Sequence, residues 1–192
     1  MGKDKAWLEI AGRPMIEHVL SEARCVTTQI TIIANDPRYA RLGLPVVADS
    51  NRGIGPLEAI RTALVESVEP LALLLACDLP FVTGDLLAFL IDRMAGYEAV
   101  APMSSDSKLQ PLCAVYSIHA LDRVTELVEA GERRPRVLFK RLRSRIVDFD
   151  ELGHLGGAER FFLNVNTPDD YARALNAAAS GRKKSGALDD ID

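Results

Sequence analysis

The chain has 192 residues, 48% of them hydrophobic, and a formal net charge of -4. That length and apolar content suit one compact domain with a substantial core. The small negative charge argues against a global attraction to nucleic acid or anionic membranes, and the longest strong apolar run, Leu71 to Cys77, falls far short of the roughly 20 residues of a membrane span.

The first residues, MGKDKAWLEIAGRPM, place Lys3, Asp4 and Lys5 directly after Gly2 and ahead of an amphipathic run. They contain no apolar core segment of a signal peptide. Pro14 to Arg24 predicts a helix, with Pro at its first position and Ile16, Val19 and Leu20 on one face. Ile30 to Ala34 (ITIIA) and Pro45 to Ala48 (PVVA) predict short strands. Pro56 to Val68 predicts a second helix with Ile60, Ala63 and Leu64 inward. Leu71 to Ala76 (LALLLA) is apolar throughout, as in a strand covered on both faces. A Thr-capped helix follows over Thr83 to Met94. Further strands are expected at Ala99 to Ala101, Leu112 to Tyr116, Arg145 to Phe149 and Phe161 to Val165. Helices are expected over Ile118 to Ala130, Arg136 to Leu142 and Thr167 to Ala179. The tail from Ser180 to Asp192 is polar and charged and is expected to be disordered, leaving residues 1–179 as the domain.

Strands alternating with helices of this length predict an α/β fold: a mostly parallel, Rossmann-like sheet with helices on both faces. Such sheets bind ligands beyond the carboxyl ends of their strands. That rule selects Asn35 and Asp36 after the first predicted strand, Asp49 after the second and Asp78 after the third. In ACDLP, Pro80 blocks a helical continuation and holds Asp78 at the strand tip, where a carboxylate can ligate a hard cation such as Mg2+; a simple strand-end turn is the alternative. In DSNRGIGPLEAI, Gly53 and Gly55 allow close backbone approach at a helix start. Glu58 in that first turn offsets the dipole and favours base or ribose contacts over phosphate. Lys5, near a glycine, is a candidate phosphate ligand, or else a solvated terminal lysine. In LNVNTPDD, Thr167 caps a helix, Pro168 begins it and Asp170 closes a box-like turn, while Asn164 and Asn166 are expected to project the same way from a strand toward a ligand or metal-bound water.

The remaining signals are weak. His18, His119 and His154 have no metal-like spacing, and no serine sits in a nucleophile-elbow motif. The stretch RRPRVLFKRLRSR, from Arg133 to Arg145, reads as an amphipathic helix with a solvated basic face; an anion-binding face is the sharper reading. Cys25, Cys77 and Cys113 are odd in number and widely spaced, so buried free thiols in a reducing, cytoplasmic setting are expected.

In their order these motifs resemble the molybdenum cofactor guanylyltransferase family, nucleotidyltransferases of the nucleotide-diphospho-sugar transferase type. The family pattern LAGGxSxRMGxDKxL, xGxPxIEHV, an Asn after the next strand, D…GPLAGI, CDxPF and NVNTPEDL is matched here by MGKDKAWLEIAGRPMIEHVL, Asn35, DSNRGIGPLEAI, ACDLPFV and NVNTPDDY, with QPLCAVY between the last two. The resemblance implies that Lys5 contacts the nucleotide phosphates and that Asn35 and Asp49 bind the guanosine. It implies that Asp78 holds Mg2+ and that Asn164 and Asn166 line the site near the metal and the pterin phosphate. Lys5 and Asp78 are then the catalytic pair. The implied reaction joins GMP from GTP to molybdopterin or Mo-molybdopterin and releases pyrophosphate. Apo-molybdoenzymes or delivery chaperones are implied partners. Cytidylyl transfer, another NTP transfer on the same fold, and a non-catalytic cofactor-binding role are the alternatives. Two departures stand out. GPLAG appears as GPLEA. The segment LAGGxSxR, which in this fold supplies a central first strand and a phosphate-holding glycine loop, has no counterpart, and Met1 aligns with the methionine inside RMGxDK. The expectation is a start placed one motif late, or a chain that transfers nucleotides poorly.

Overall fold

A 3-10 turn over Lys5–Trp7 is capped by Asp4, whose Oδ1 accepts from the Ala6 N–H at 3.2 Å. The computed structural model describes residues 4–48 and 55–185. The turn leads into a hairpin of β1 (Glu9–Ile10) and β2 (Arg13–Pro14). Ala11 and Gly12 form its tip at φ 53° and 82°, the paired positive φ that tight two-residue hairpins adopt. Pro14 thus ends a strand and caps α1 (Met15–Ala23), one place earlier than its expected first helical position.

β3 (Ile32–Ile33) and β4 (Val46–Val47) pair in parallel. After Gly55, whose φ of 106° suits only glycine, α2 runs over Pro56–Glu66. Next come β5 (Leu71–Leu75), α3 (Gly84–Asp92), β6 (Ala99–Pro102), β7 (Cys113–Ser117), α4 (Leu121–Glu129), α5 (Pro135–Arg141), β8 (Ser144–Val147) and α6 (Pro168–Ser185). The main described sheet has the order β5-β7-β6-β8. Its strands alternate sides as pleating requires. Ala99, Ala101, Ala114 and Tyr116 pack on one face against Leu57, Ile60 and Leu64 of α2, Val124 and Leu127 of α4, and Leu138 and Phe139 of α5. Val100, Cys113 and Val115 pack on the other against Leu86, Phe89 and Leu90 of α3, with Leu152 and Phe161. Helices therefore cover both faces, and the α/β class holds.

Several expectations change in detail. β7 runs antiparallel to both β5 and β6, because the chain returns from β6 through a short loop bridged at Met103 and Leu109 and has no crossover helix there. Phe161 to Val165 is not a strand. After a 3-10 turn over Ala158–Arg160 the chain stays in turns, with the Leu163 N–H on Arg160 O at 3.0 Å and the Asn164 N–H on Phe162 O at 3.0 Å. Its apolar residues act as single anchors: Phe161 and Val165 are fully buried. β5 is less covered than its composition suggests: Leu71 is 38% exposed and only Leu74 is buried. Among the thiols Cys113 is buried and Cys77 half-buried, but Cys25 is exposed at the end of α1, so the expectation of three buried cysteines fails there. α6 continues past Ala179 to Ser185, while residues 186–192 of the expected tail lie outside the described residues. Among the described residues, no helix is long and apolar enough to cross a membrane.

One tight contact joins α1 to α3. A Cβ on Gly84 would lie 2.7 Å from Cys25 Cβ, and the Gly84 N–H donates to Glu22 Oε2 at 2.8 Å. Gly84→Ala is expected to destabilise the protein by about 1–3 kcal/mol, read as a lower urea midpoint at unchanged slope. Cys25→Ala should not relieve it, because the colliding Cβ remains.

Candidate functional site

The site forms where β5 ends. Past Leu75 the chain turns through Ala76, Cys77 and Asp78, and Leu79, 2% exposed, anchors the turn in the core. The Asp78 C=O accepts from the Val165 N–H at 3.1 Å, which seats residues 164–166 beside the strand tip. Asn166 Oδ1 then accepts from Lys5 Nζ at 2.7 Å across 161 residues of chain. Lys5, Asp78 and Asn166, chosen from three separate motifs, are thus brought together. Asn164 is placed differently from the expectation: it lies on a turn, and its Oδ1 is buried without a hydrogen-bond partner.

Local structure explains each position. Lys5 rides on the turn pinned by the fully buried Ala6 and capped by Asp4. The Tyr171 hydroxyl on α6 donates to Glu9 O at 2.6 Å, holding the N-terminal hairpin against the C-terminal helix. The start of α6 is the box expected from Thr-Pro-Asp-Asp. Thr167 Oγ1 accepts from the Asp170 N–H at 3.1 Å, and Asp170 Oδ2 accepts from the Thr167 and Asn166 N–H groups at 2.8 and 3.0 Å. Arg173 pairs with the same carboxylate. Arg173 first, then Thr167, hold the Asp170 carboxyl down at about 2, from an ordinary 3.8. A depressed carboxyl favours the folded state at every pH above its ordinary value, and that contribution is lost as pH falls from there through its folded value. The Asp170 carboxyl 13C resonance is therefore expected to titrate near pH 2, with the Asn166 amide losing protection over the same range.

Electrostatics single out Asp78. Burial pushes its carboxyl above the ordinary carboxylate range, opposed by the Lys5 charge and by hydrogen bonds that include one from Asn166. Burial, aided by the Asp78 charge, pushes the neighbouring Cys77 thiol up to about 11. Cys77 is accordingly a protonated thiol at neutral pH and no nucleophile.

A second wall follows β3. Asp36 caps a 3-10 turn over Pro37–Leu42, accepting from the Arg38 N–H at 2.8 Å. The Arg38 guanidinium folds back to Asp36 at 2.7 Å, approaches Asp4 at 3.9 Å and lies over the Trp7 ring at 5.5 Å. It therefore ties the bend bearing the half-buried Asn35 to the turn bearing Lys5. Tyr39 is buried beneath and hydrogen-bonds Asp4; burial and that carboxylate push its phenol up. The sequence reading did not single out Arg38, Tyr39 or Trp7. The Asp-Pro-Arg cap was the available signal, but it does not reveal that the guanidinium reaches another segment.

Asp49, with residues 50–54, lies outside the described residues. Glu58 is in the first turn of α2 as expected, 1% exposed, with the Arg61 guanidinium at 2.9 and 2.5 Å. In the basic stretch, Leu138, Phe139 and Leu142 are buried, while Arg134, Arg143 and Arg145 pair with Glu132, Glu98 and Glu151. Its face is largely a solvated, internally paired one.

Among the described residues, no three His, Cys, Asp or Glu side chains converge as a metal site. The donors at hand are oxygens, the two of the Asp78 carboxylate at the strand tip. Such a set fits a hard cation that keeps water or phosphate oxygens as its other ligands. Lys5 supplies fixed positive charge nearby. A lysine ammonium and a carboxylate side by side have the chemistry to hold an anion and a cation together.

Comparison with known proteins agrees. The sequence profile of the MobA-like NTP transferase domain matches residues 1–146. A probable molybdenum cofactor guanylyltransferase from Carboxydothermus hydrogenoformans is 31% identical over 91% of this chain and 88% of its own. The solved structure of molybdopterin-guanine dinucleotide biosynthesis protein A from Archaeoglobus fulgidus superposes with a TM-score of 0.78 at 26% identity, covering 93% of this chain and 92% of that one. A Mycobacterium tuberculosis protein solved with manganese shares the fold, with a TM-score of 0.62 at 21% identity over 91% of this chain and 93% of that one. Residue pattern, fold and profile converge: the chain belongs to the MobA-like NTP transferase family of nucleotidyltransferases.

Proposed function

We propose that the chain is a guanylyltransferase of molybdenum cofactor biosynthesis, which joins GMP from GTP to molybdopterin. An oxygen of the molybdopterin terminal phosphate attacks the α-phosphorus of GTP; the bond between the α-phosphorus and the bridging oxygen breaks, and pyrophosphate leaves. The observation that carries this reading is the Lys5–Asn166 hydrogen bond beside Asp78, at the carboxyl end of β5. Lys5 holds phosphate oxygens and offsets their charge, and Asn166 fixes where the Lys5 ammonium sits. Asn35 and Asp49 contact the guanosine, and Asn164 faces the acceptor side. Mg2+, held by Asp78, would neutralise phosphate charge and align the phosphoryl groups. The protein contributes position and electrostatics, so no side-chain nucleophile is needed. The names of the Carboxydothermus and Archaeoglobus relatives support the guanylyl and molybdopterin specificities.

The test is calorimetric titration of GTP in the presence and absence of Mg2+, with CTP as competitor. Mg2+-dependent GTP binding that CTP does not displace at equal concentration is the expected result. Equal displacement by CTP would move the reading to cytidylyl transfer.

A further inference from the structure

The basic stretch that follows α4 takes no part in the site at the β5 tip. From Ala130 to Arg145 the sequence carries seven Lys or Arg residues against one acid, Glu132, in a chain whose net charge is -4. Three of the seven are neutralised within the fold: Arg134 by Glu132, Arg143 by Glu98 and Arg145 by Glu151. Arg136, Lys140 and Arg141 are exposed and have no ion pair among the described residues. Glu132 is spent on its own turn. Its carboxylate accepts from the Arg133 and Arg134 N–H groups at 2.9 and 3.0 Å and from the Arg134 guanidinium at 2.9 and 2.7 Å. α5 contains no acid, and Arg136 and Lys140 stand four residues apart on it, a like-charge spacing that weakens a helix. Helix stability selects against this arrangement, and an external anion reverses the sign.

These cations border a cavity. A hollow of about 530 Å³ lies between the end of α4 and α5, with Leu127, Gly131, Arg133, Arg134, Val137 and Arg141 in its lining. Leu127 is buried and Val137 half-buried, and they supply its apolar floor. Arg134 caps α5 and Arg141 ends it, so the charged rim extends about 10 Å along the helix axis. Cations spread over that length do not converge on a single phosphate. At about 3.3 Å per extended residue, a peptide crosses the rim in about four residues. The apolar side of α5, Leu138, Phe139 and Leu142, is buried in the core, so the helix has nothing to insert into a bilayer. A second copy offers the same charge on the same face, so a two-fold pairing through it is repulsive.

We infer that this cavity and its cationic rim are a docking site for an acidic segment of a protein partner, in which carboxylates flank a leucine or isoleucine. The aliphatic side chain settles on Leu127 and Val137, and the carboxylates meet Arg136, Lys140 and Arg141. The charge steers the encounter, and the apolar contact sets which acidic segment stays. The site lies on α4 and α5, elements that the β5 tip does not use, and the inference does not rest on the guanylyl reading.

The probe is the fluorescein-labelled peptide EDLEDIED, titrated with the full 192-residue chain and followed by fluorescence anisotropy and methyl NMR. Saturable binding is expected, with shifts at the Leu127 and Val137 methyl groups. It should weaken as NaCl rises from about 0.05 M to about 0.5 M. The triple variant Arg136→Gln, Lys140→Gln, Arg141→Gln is expected to bind at least about tenfold more weakly, the scale of several exposed ion pairs. On the unaltered protein, a peptide with serine in place of leucine and isoleucine keeps the charge and should lose a similar factor of about ten. Four results overturn the inference. Equal affinity of the triple variant removes the cations from it, and equal affinity of the serine peptide removes the apolar floor. Tighter binding of a single-stranded oligonucleotide of equal charge makes the face a nucleic-acid site. A concentration-dependent doubling of mass in sedimentation that excludes the peptide makes the occupant a second copy. None of these readouts involves GTP, so failure of the guanylyl reading leaves the test intact.

Discussion

Asp78→Asn is expected to lower kcat for divalent-dependent nucleotidyl transfer sharply while raising the melting temperature. The first effect follows from the loss of the Asp78 carboxylate at the β5 tip, and a fall in kcat of roughly 10²–10³-fold is the scale for removing a pre-aligned charged group from such a site. The second follows from the direction of its titration. Burial holds the Asp78 carboxyl above its ordinary 3.8. Below that value the group is neutral in both folded and unfolded chains and contributes nothing. As pH rises through the raised folded value, the native state acquires a charge that its surroundings disfavour, and the stability deficit is then complete. Asparagine keeps the shape and removes the charge. Calorimetric melting of both proteins at neutral pH should show the variant higher, with the gap closing as pH drops below the ordinary carboxylate range. A lower melting point for the variant would mean that Lys5 and Asn166 more than offset the desolvation.

Lys5→Ala is expected to lower kcat/KM for the nucleotide by roughly 10²-fold, with little change in stability because the ammonium is solvent-accessible. Lys5→Arg should recover only part of this. A guanidinium is planar and longer, and Asn166 Oδ1 is placed for a point-like ammonium at 2.7 Å. Combining Lys5→Ala with Asn166→Ala should cost less than the sum of the two, with a coupling of about 0.5–3 kcal/mol in transition-state binding. Strict additivity in steady-state kinetics would show that Asn166 does not position the lysine.

Much of this arrangement was legible in the chain. Apolar periodicity located the six α-helices of the described residues, five of them to within a few residues and α6 six residues short of its end, and the strand-tip rule singled out Asp78. The Thr-Pro-Asp-Asp box appears as read. What the pattern concealed was pairing. LALLLA predicts a strand covered on both faces, yet Leu71 is 38% exposed and only Leu74 is buried, because coverage depends on what packs on a strand and not on its own composition. Phe161 to Val165 carries strand-like residues, but each plugs a separate site, so no ladder forms. Arg38 was invisible for a similar reason: its role depends on Asp4 and Trp7, which only the fold brings within reach.

The tie between the two ends of the chain has a temporal meaning. Lys5 meets Asn166 and Glu9 meets Tyr171 across separations of 161 and 162 residues. Contacts so distant in sequence close late, since the whole intervening chain must first be ordered. During synthesis from the N-terminus, Asp78 and the helices around it can assemble while the lysine turn still lacks the helix that anchors it. The Lys5–Asn166 pair is then completed last, when α6 has cleared the ribosome and docked on the hairpin, so a nascent or C-terminally shortened chain carries the fold's centre with its lysine turn unanchored.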